Sequence, residues 1–419
     1  MLSPSPYNLL AEIDLQRKSE LLEVLCQIDK APQTNSYFHF HALPSVHFGR
    51  FVVLDEVMEN GQEKYPAYLA FSTNYDGTLD DHLREIIQHN PAGVATIFGF
   101  CKDFPGTEST VAAQVAFFKR NGRLRPYFYR GNWNLTVDQI QKEDHYRKET
   151  EALLDAYEHA DHSAEAVRDF LVEQVPNLPD FQTFSPREMP LLGLLQGLTL
   201  GITGIFLLSI LLPLTVILRL SEWLDREINK TDSTQKKTYD LANKEDLFLQ
   251  NQITHLVEVK KGWFRRRLLK FVLSGLDWLS RYIFNKGSLG GITSIHYARW
   301  ILIDKGRRLL FFSNFDGSWE SYLGEFVDRA AVGLTGVWSN TKGFPKTKFL
   351  LFKGARDEQR FKAWVREQQI PTQVWYSAYP HLTVQNIRNN HEIHNGLIGQ
   401  VEEHKNISPK AMNEWLEKY

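Results

Sequence analysis

The chain has 419 residues, of which 43% are hydrophobic, 13% aromatic and 23% charged. That composition excludes a disordered chain, and the length holds about two to three ordinary domains. Lys plus Arg (48) against Asp plus Glu (50) leave a net charge of -2, which excludes a global basic field and with it a nucleic-acid partner. Two cysteines, Cys26 and Cys101, exclude a disulfide framework and a thiolate metal cluster, and no metal-ligand motif is present.

In chain order, residues 1–45 read as a leader containing an amphipathic helix and a loop. A first α+β unit follows over 46–155. An insert, 156–294, then carries 28 residues without a charge, from Leu191 to Leu218. As one helix this run would be about 42 Å long, enough to enter a bilayer, the other reading being a buried core helix. Gly193, Gly197 and Gly201 form a GxxxGxxxG stripe that lets a second helix approach closely, either within the chain or in a homo-oligomer. Downstream, Lys260, Lys261, Arg265, Arg266 and Arg267 surround Trp263 and lead into a helix with Trp278. The stretch 262–284 predicts a basic amphipathic helix lying on anionic headgroups, with the lipid bilayer as partner. A second α+β unit over 295–402 and a tail, 403–419, complete the chain.

The two units are related. Ala70–Pro105 aligns without gaps on Leu310–Pro345 at an offset of 240, with 10 identities in 36 positions, where about two are expected by chance. Val46–Phe51 matches Ile295–Trp300 at an offset of 249. Copy 1 is longer near Asn60-Gly61 and copy 2 near Lys346–Phe349. Copy 2 predicts strands at 295–304 and 308–314, a helix at 318–330, strands near 334–339 and 349–352, a helix at 357–368, a strand at 372–379 and a helix from 383. This βαββαβ-like order predicts an α+β fold of two tandem ferredoxin-like repeats, joined sheet to sheet, flanking a hydrophobic membrane-inserting segment. Two full crossings need about 40 apolar residues. A re-entrant or in-plane segment is therefore preferred over a single span, because it keeps both repeats on one side, the cytoplasmic one.

Residues repeated in both copies are the candidate site. Alternation puts His47 and His296 on a face with Gly49 or Ala298 and Phe51 or Trp300, where they line a flat ligand pocket or serve as hydrogen-bonded core histidines. It turns Arg50 and Arg299 to the other face. Asp76 and Asp316, each before a Gly at a strand end, read as caps of the next helix or as carboxylates that move a proton. Trp338, Tyr376 and His381 make copy 2 the polar and aromatic choice for a binding pocket.

With its Asp-Gly elements, Thr73–Gly77 and Ser313–Gly317, the duplication resembles the dimeric α+β barrel superfamily of dye-decolourising peroxidases and chlorite dismutases. That resemblance implies haem as cofactor, with Asp76 or Asp316 and an Arg, Arg50 or Arg299, in catalytic roles. The first Gly of the family's GxxDG motif is absent, and no His matches the proximal ligand by motif. The whole chain is also similar to a family of bacterial membrane-associated proteins in which two such units flank a hydrophobic insert, which implies no activity. Two functional readings follow. One is a membrane-associated protein whose paired repeats bind an apolar ligand, lipid or partner at the bilayer surface. The other is a haem-dependent, peroxidase-like oxidoreductase acting on a lipophilic substrate.

Overall fold

The computed structural model describes residues 4–418 except 107, 123–125, 133–134, 158–161, 176–177, 179–217, 225–238, 240, 243–244, 285–286 and 404–413. Branched and aromatic side chains crowd VHFGRFVVL (Val46–Leu54) and IHYARWILI (Ile295–Ile303), and both become strands with nearly every side chain buried. Such strands need cover on both faces. The first half supplies β1 (Ser5–Glu12), α1 (Lys18–Asp29), β2 (Val46–Leu54), a hairpin β3 (Val57–Glu59)–β4 (Gln62–Tyr65), and β5 (Tyr68–Tyr75). It continues with α2 (Leu79–His89), α3 (Pro91–Phe98), α4 (Val111–Asn121), β6 (Tyr127–Arg130), α5 (Val137–Ala156) and α6 (Ala164–Gln174). The second half runs β7 (Gln250–Glu258), α7 (Trp263–Tyr282), β8 (Ile295–Ile303), β9 (Arg308–Asp316), α8 (Trp319–Trp338), a hairpin β10 (Thr347–Lys348)–β11 (Phe352–Lys353), α9 (Glu358–Gln368), β12 (Val374–Ser377) and α10 (Val384–Glu403).

Two four-stranded antiparallel sheets result, in the orders β1-β5-β2-β12 and β6-β8-β9-β7. The last strand of each half is exchanged. β12 pairs with β2, from Val374 opposite Phe51 to Ser377 opposite Phe48, and β6 pairs with β8, from Tyr127 opposite Trp300 to Arg130 opposite Tyr297. Leu10, Val52, Leu54 and Ala70 of one sheet pack on Ile301, Ile303, Leu310 and Phe312 of the other, while helices cover the outer faces.

Two expected boundaries move. Residues 1–45 are not only helix and loop, because β1 covers the edge of β5 that would otherwise expose unpaired N–H and C=O groups. β7 does the same for β9, so 250–282 belongs to the second unit rather than to the insert. The strand expected near 334–339 is the end of α8. Ala330 breaks helical geometry inside it (φ -125°, ψ 15°) where the first half, 240 residues earlier, has Asn90-Pro91 between α2 and α3, and the helix resumes beyond the break. The run 191–218 lies outside the described residues except Leu218, as do Gly193, Gly197 and Gly201. Among the described residues no helix is long and apolar enough to cross a membrane.

Between the sheets lie two reciprocal clasps. The Arg50 guanidinium donates to Ile253 O (3.1 Å), Ser313 O (3.0 Å), Gln252 Oε1 (3.3 Å), Thr254 Oγ1 (3.4 Å) and Asn314 Oδ1. Arg299 donates to Ser72 Oγ (2.7 Å), Thr73 O (2.9 Å), Asn8 Oδ1 (3.0 Å) and Asn74 Oδ1. Each therefore grips the other half. Neither meets a carboxylate among the described residues. Burial first, and for Arg50 then the charge of Arg299, lowers both guanidinium pKa values, that of Arg299 to about 9.

Arg299→Met strands these acceptors without a donor, and is expected to lower unfolding free energy by about 3 kcal/mol in urea titrations. Arg299→Lys should recover only part of that, since one ammonium cannot fork between four acceptors. Parent-like stability of the Met variant would remove the clasp from its structural role.

Candidate functional site

A β-bulge between Val46 and Phe48, repeated between Ile295 and Tyr297, sits at each repeated His. It takes His47 out of the strict alternation that would set it beside Gly49 and Phe51, and brings its ring to Tyr297 and Tyr379 (centroids 5.5 and 5.9 Å). His47 Nδ1 bonds Tyr379 Oη (2.9 Å) and its Nε2 bonds Asp76 Oδ1 (3.1 Å). His296 Nε2 bonds Asp316 Oδ1 (2.7 Å) in the same way.

The carboxylates do not cap the helix that follows them, for Thr78 and Ser318 do that. Asp76 Oδ2 instead accepts from Val137 N at the start of α5 (2.8 Å), and Asp316 Oδ2 from Val384 N at the start of α10 (2.8 Å). Gly77 and Gly317 (φ 105° and 78°) supply the left-handed exit. Each His–Asp pair thus ties a strand end to a distant helix start, a structural task.

The pairs differ in one respect. Where the second half provides Tyr379, the first provides the shorter Asn132, which donates to Tyr297 Oη. His296 Nδ1 and Asn132 Oδ1 consequently remain buried without partners.

Two cavities have walls whose described residues include none of His47, Asp76, His296 or Asp316. One, of about 660 Å³, lies by Tyr75, Tyr127 and Arg130. The other, of about 710 Å³, lies in the second half between α7 and α8 against β8. Leu276, Leu279, Phe284, Trp300, Leu334 and Trp338 form its apolar wall. Asp328, Arg329 and Arg356, all exposed, supply its charge. The Trp300 indole N–H is buried and has no acceptor.

The duplication explains why this space is open. Gly333 of α8 corresponds to Gly93 of α3 at the offset of 240. A Cβ on Gly93 would lie 1.8 Å from Tyr37 O, because the long connection 30–45 folds back over α3 and buries Phe38 and Phe40. A Cβ on Gly333 would meet nothing within 4 Å. The corresponding connection, 283–294, is shorter, and none of its described residues covers Gly333 as Tyr37 covers Gly93.

Of the residues expected in a copy 2 pocket, only Trp338 lines this cavity. Strand exchange carries Tyr376 into the first half, where its ring stacks on Phe40 (4.9 Å, 9°). His381 is exposed and bonds Asp144 Oδ2 (3.2 Å). Arg50 and Arg299 serve the clasps and not a proton-moving Asp.

The resemblance to haem peroxidases is not matched by this donor set. Among the described residues the wall of the apolar cavity contains no His, Cys, Met or Tyr, and Asp76 and Asp316 each accept from a backbone N–H and pair with a His. The residues present do not fit a haem there. Sequence reasoning placed Trp300 on the face of His296 and not in this cavity, and it missed the part played by Gly333 and the connection 283–294. The unequal lengths of 30–45 and 283–294 were the signal, hidden because 1–45 read as a leader.

The predicted amphipathic helix forms as α7, but its apolar stripe is spent inside the fold. Leu269 and Leu273 are buried in the second core, Arg265 is buried with its Nε on Ser221 Oγ (3.1 Å), and Lys260 Nζ donates to Ser339 O (2.7 Å). Trp278 is half-buried against Tyr282. Lys261, Trp263 and Arg267 remain exposed, and Arg266 partly so. No family model matches the chain, and no curated protein or solved structure does.

One buried titratable group stands apart. His82 of α2 bonds Thr73 through Nε2 (2.8 Å) and stacks on Tyr75 (4.0 Å), as Tyr322 bonds Ser313 (2.7 Å) and stacks on Phe315 (3.8 Å) in the second half. Burial lowers its pKa from 6.5 to about 3. Between those pH values the unfolded chain binds a proton that the folded chain refuses, so its contribution is intact above pH 6.5 and declines toward pH 3. In urea titrations stability is expected to fall by up to about 1.4 kcal/mol per pH unit in that window relative to His82→Phe. Parallel pH profiles for the two proteins would show that His82 does not titrate this way.

Proposed function

We propose that the protein holds an apolar molecule bearing one hydrogen-bond acceptor in the cavity between α7 and α8, and does so at a bilayer surface. The observation that carries this reading is the comparison of Gly93 with Gly333: one half fills the place with its own Phe38 and Phe40, and the other leaves about 710 Å³ behind an apolar wall. A volume of this size suits a small lipophilic ligand. The partnerless Trp300 N–H supplies a single directional contact, since a buried donor without an acceptor is costly.

Duplicated ferredoxin-like units in a dimeric α+β barrel arrangement belong to the same reading, supported by the repeated bulges, His–Asp pairs and clasps. So does the bilayer as partner, supported by the 28 uncharged residues of 191–218, whose glycine stripe offers a pairing surface for a second copy. The inter-sheet core supports keeping both halves on one side, which the basic segment 260–270 makes the cytoplasmic one. The haem reading draws no support from the cavity's donors.

The test uses two neutral fluorescent probes, 6-propionyl-2-dimethylaminonaphthalene, which has a carbonyl acceptor, and N-phenyl-1-naphthylamine, which has none. Gly333→Phe fills the space and is expected to weaken both by about tenfold or more while leaving the circular dichroism unchanged. Trp300→Phe should weaken the ketone alone, by about tenfold. Unaltered binding in Gly333→Phe would end the proposal.

A further inference from the structure

We propose that the β10–β11 hairpin, the helical turn 218–224 and the first turn of α7 form one docking surface for a bilayer with anionic headgroups. This rests on the reading of the chain as membrane-associated and moves the contact away from the stripe of α7, which the fold has used.

The three pieces are locked together by a buried acid. The Glu222 carboxylate accepts from Leu350 N (2.7 Å), Phe349 N (3.1 Å) and Thr347 Oγ1 (3.0 Å), and pairs with Arg219. The Arg219 guanidinium lies over the Phe349 ring (5.2 Å). Ser221, next to Glu222, receives the Arg265 Nε of α7.

What this clamp presents is apolar. Trp223 (78% exposed), Trp263 (75%), Leu224 (70%) and Phe352 (52%) stand in solvent, with Leu351 beside them. Phe349, Leu350 and Lys353 hold positive φ (56°, 59° and 61°), a conformation bulky side chains avoid, so the hairpin keeps a disfavoured backbone that Glu222 stabilises. Leu350 alone among its apolar tip residues turns inward.

Charge and chain continuity select the partner. The run Lys346–Lys353, KTKFLLFK, contains three lysines and no acid, and Lys260–Lys270 contains six basic residues and no acid. Exposed Trp and Phe set among Lys and Arg match the headgroup region of an anionic leaflet. The surface also begins at Leu218, the last residue of the 28-residue uncharged run, so chain leaving the apolar segment arrives directly on it.

The experiment uses the full chain carrying Cys26→Ser and Leu351→Cys, labelled at residue 351 with nitrobenzoxadiazole. A second preparation is labelled at Met58→Cys, on the β3–β4 hairpin. With vesicles of phosphatidylcholine plus phosphatidylglycerol containing a nitroxide lipid, the 351 label is expected to shift blue and to be quenched, and the 58 label to do neither. Lys348→Glu with Lys353→Glu should abolish the quenching at 351. Vesicle binding with an unquenched 351 label would overturn the docking surface while leaving membrane association standing. A chain that fails to bind vesicles at all would overturn both. A blue shift without lipid that grows with protein concentration would put a second copy on this face and overturn the bilayer.

Discussion

Two guanidinium groups buried between two sheets, with no carboxylate among the described residues to neutralise them, are the constraint on which the rest of the structure depends. Neither Arg50 nor Arg299 finds its acceptors in its own half. Each needs carbonyl and amide oxygens on the opposite sheet, held at the right places by β7 and β9 in one direction and β1 and β5 in the other. Removing either sheet would leave a charge in an apolar interior, which costs far more than an unmade neutral hydrogen bond. The exchanged strands β6 and β12 act in the same sense, because each half borrows an edge from the other. The two halves are therefore one cooperative unit.

The two halves share a set of matching features, and the features with functional potential occur where the match fails. The His–Asp ties, the clasps and the stacked pairs at Tyr75 and Phe315 recur in both halves and serve the fold. The unequal ones are different. Residues 30–45 fill the groove over α3, and the described residues of 283–294 do not fill the groove over α8. Asn132 replaces a Tyr and leaves His296 Nδ1 without a partner. The second half inserts β10–β11 and exposes its apolar residues, whereas the first inserts β3–β4, whose exposed chain is mostly polar.

Much of this was legible in the sequence. The offset of 240 located β5 against β9, α2 against the first part of α8, and Gly93 against Gly333, and the changes of offset fell on the two inserted hairpins. Three things were not legible. β1 and β7 carry no run of identities, since an edge strand is specified by pairing and burial and not by side-chain identity, so Ser5–Glu12 passed for a leader. The bulges at His47 and His296 shift side chains by a backbone irregularity that alternation cannot foresee. Strand exchange is a choice between two chemically similar sheet edges, and it moved Tyr376 away from Trp338 although both belong to the second copy.

The cavity and the clamped hairpin are joined through α8, which gives the two proposals a common structural basis. Immediately after β11, Gly354 (φ 56°) passes so close to Thr335 that a Cβ would lie 2.8 Å from its methyl group, and Ala355 N donates to Thr335 Oγ1 (3.2 Å). Arg356 then reaches the cavity mouth, while Leu334 and Trp338, on either side of Thr335, form its wall. The α8 backbone departs from helical geometry at Ala330, just ahead of this contact. The end of the hairpin and the wall of the cavity therefore meet at Gly354 and Thr335. On the two proposals together, the face turned to the bilayer and the wall of the apolar space are neighbours through three consecutive residues, Gly354 to Arg356, so both surfaces are built on the same part of the second half.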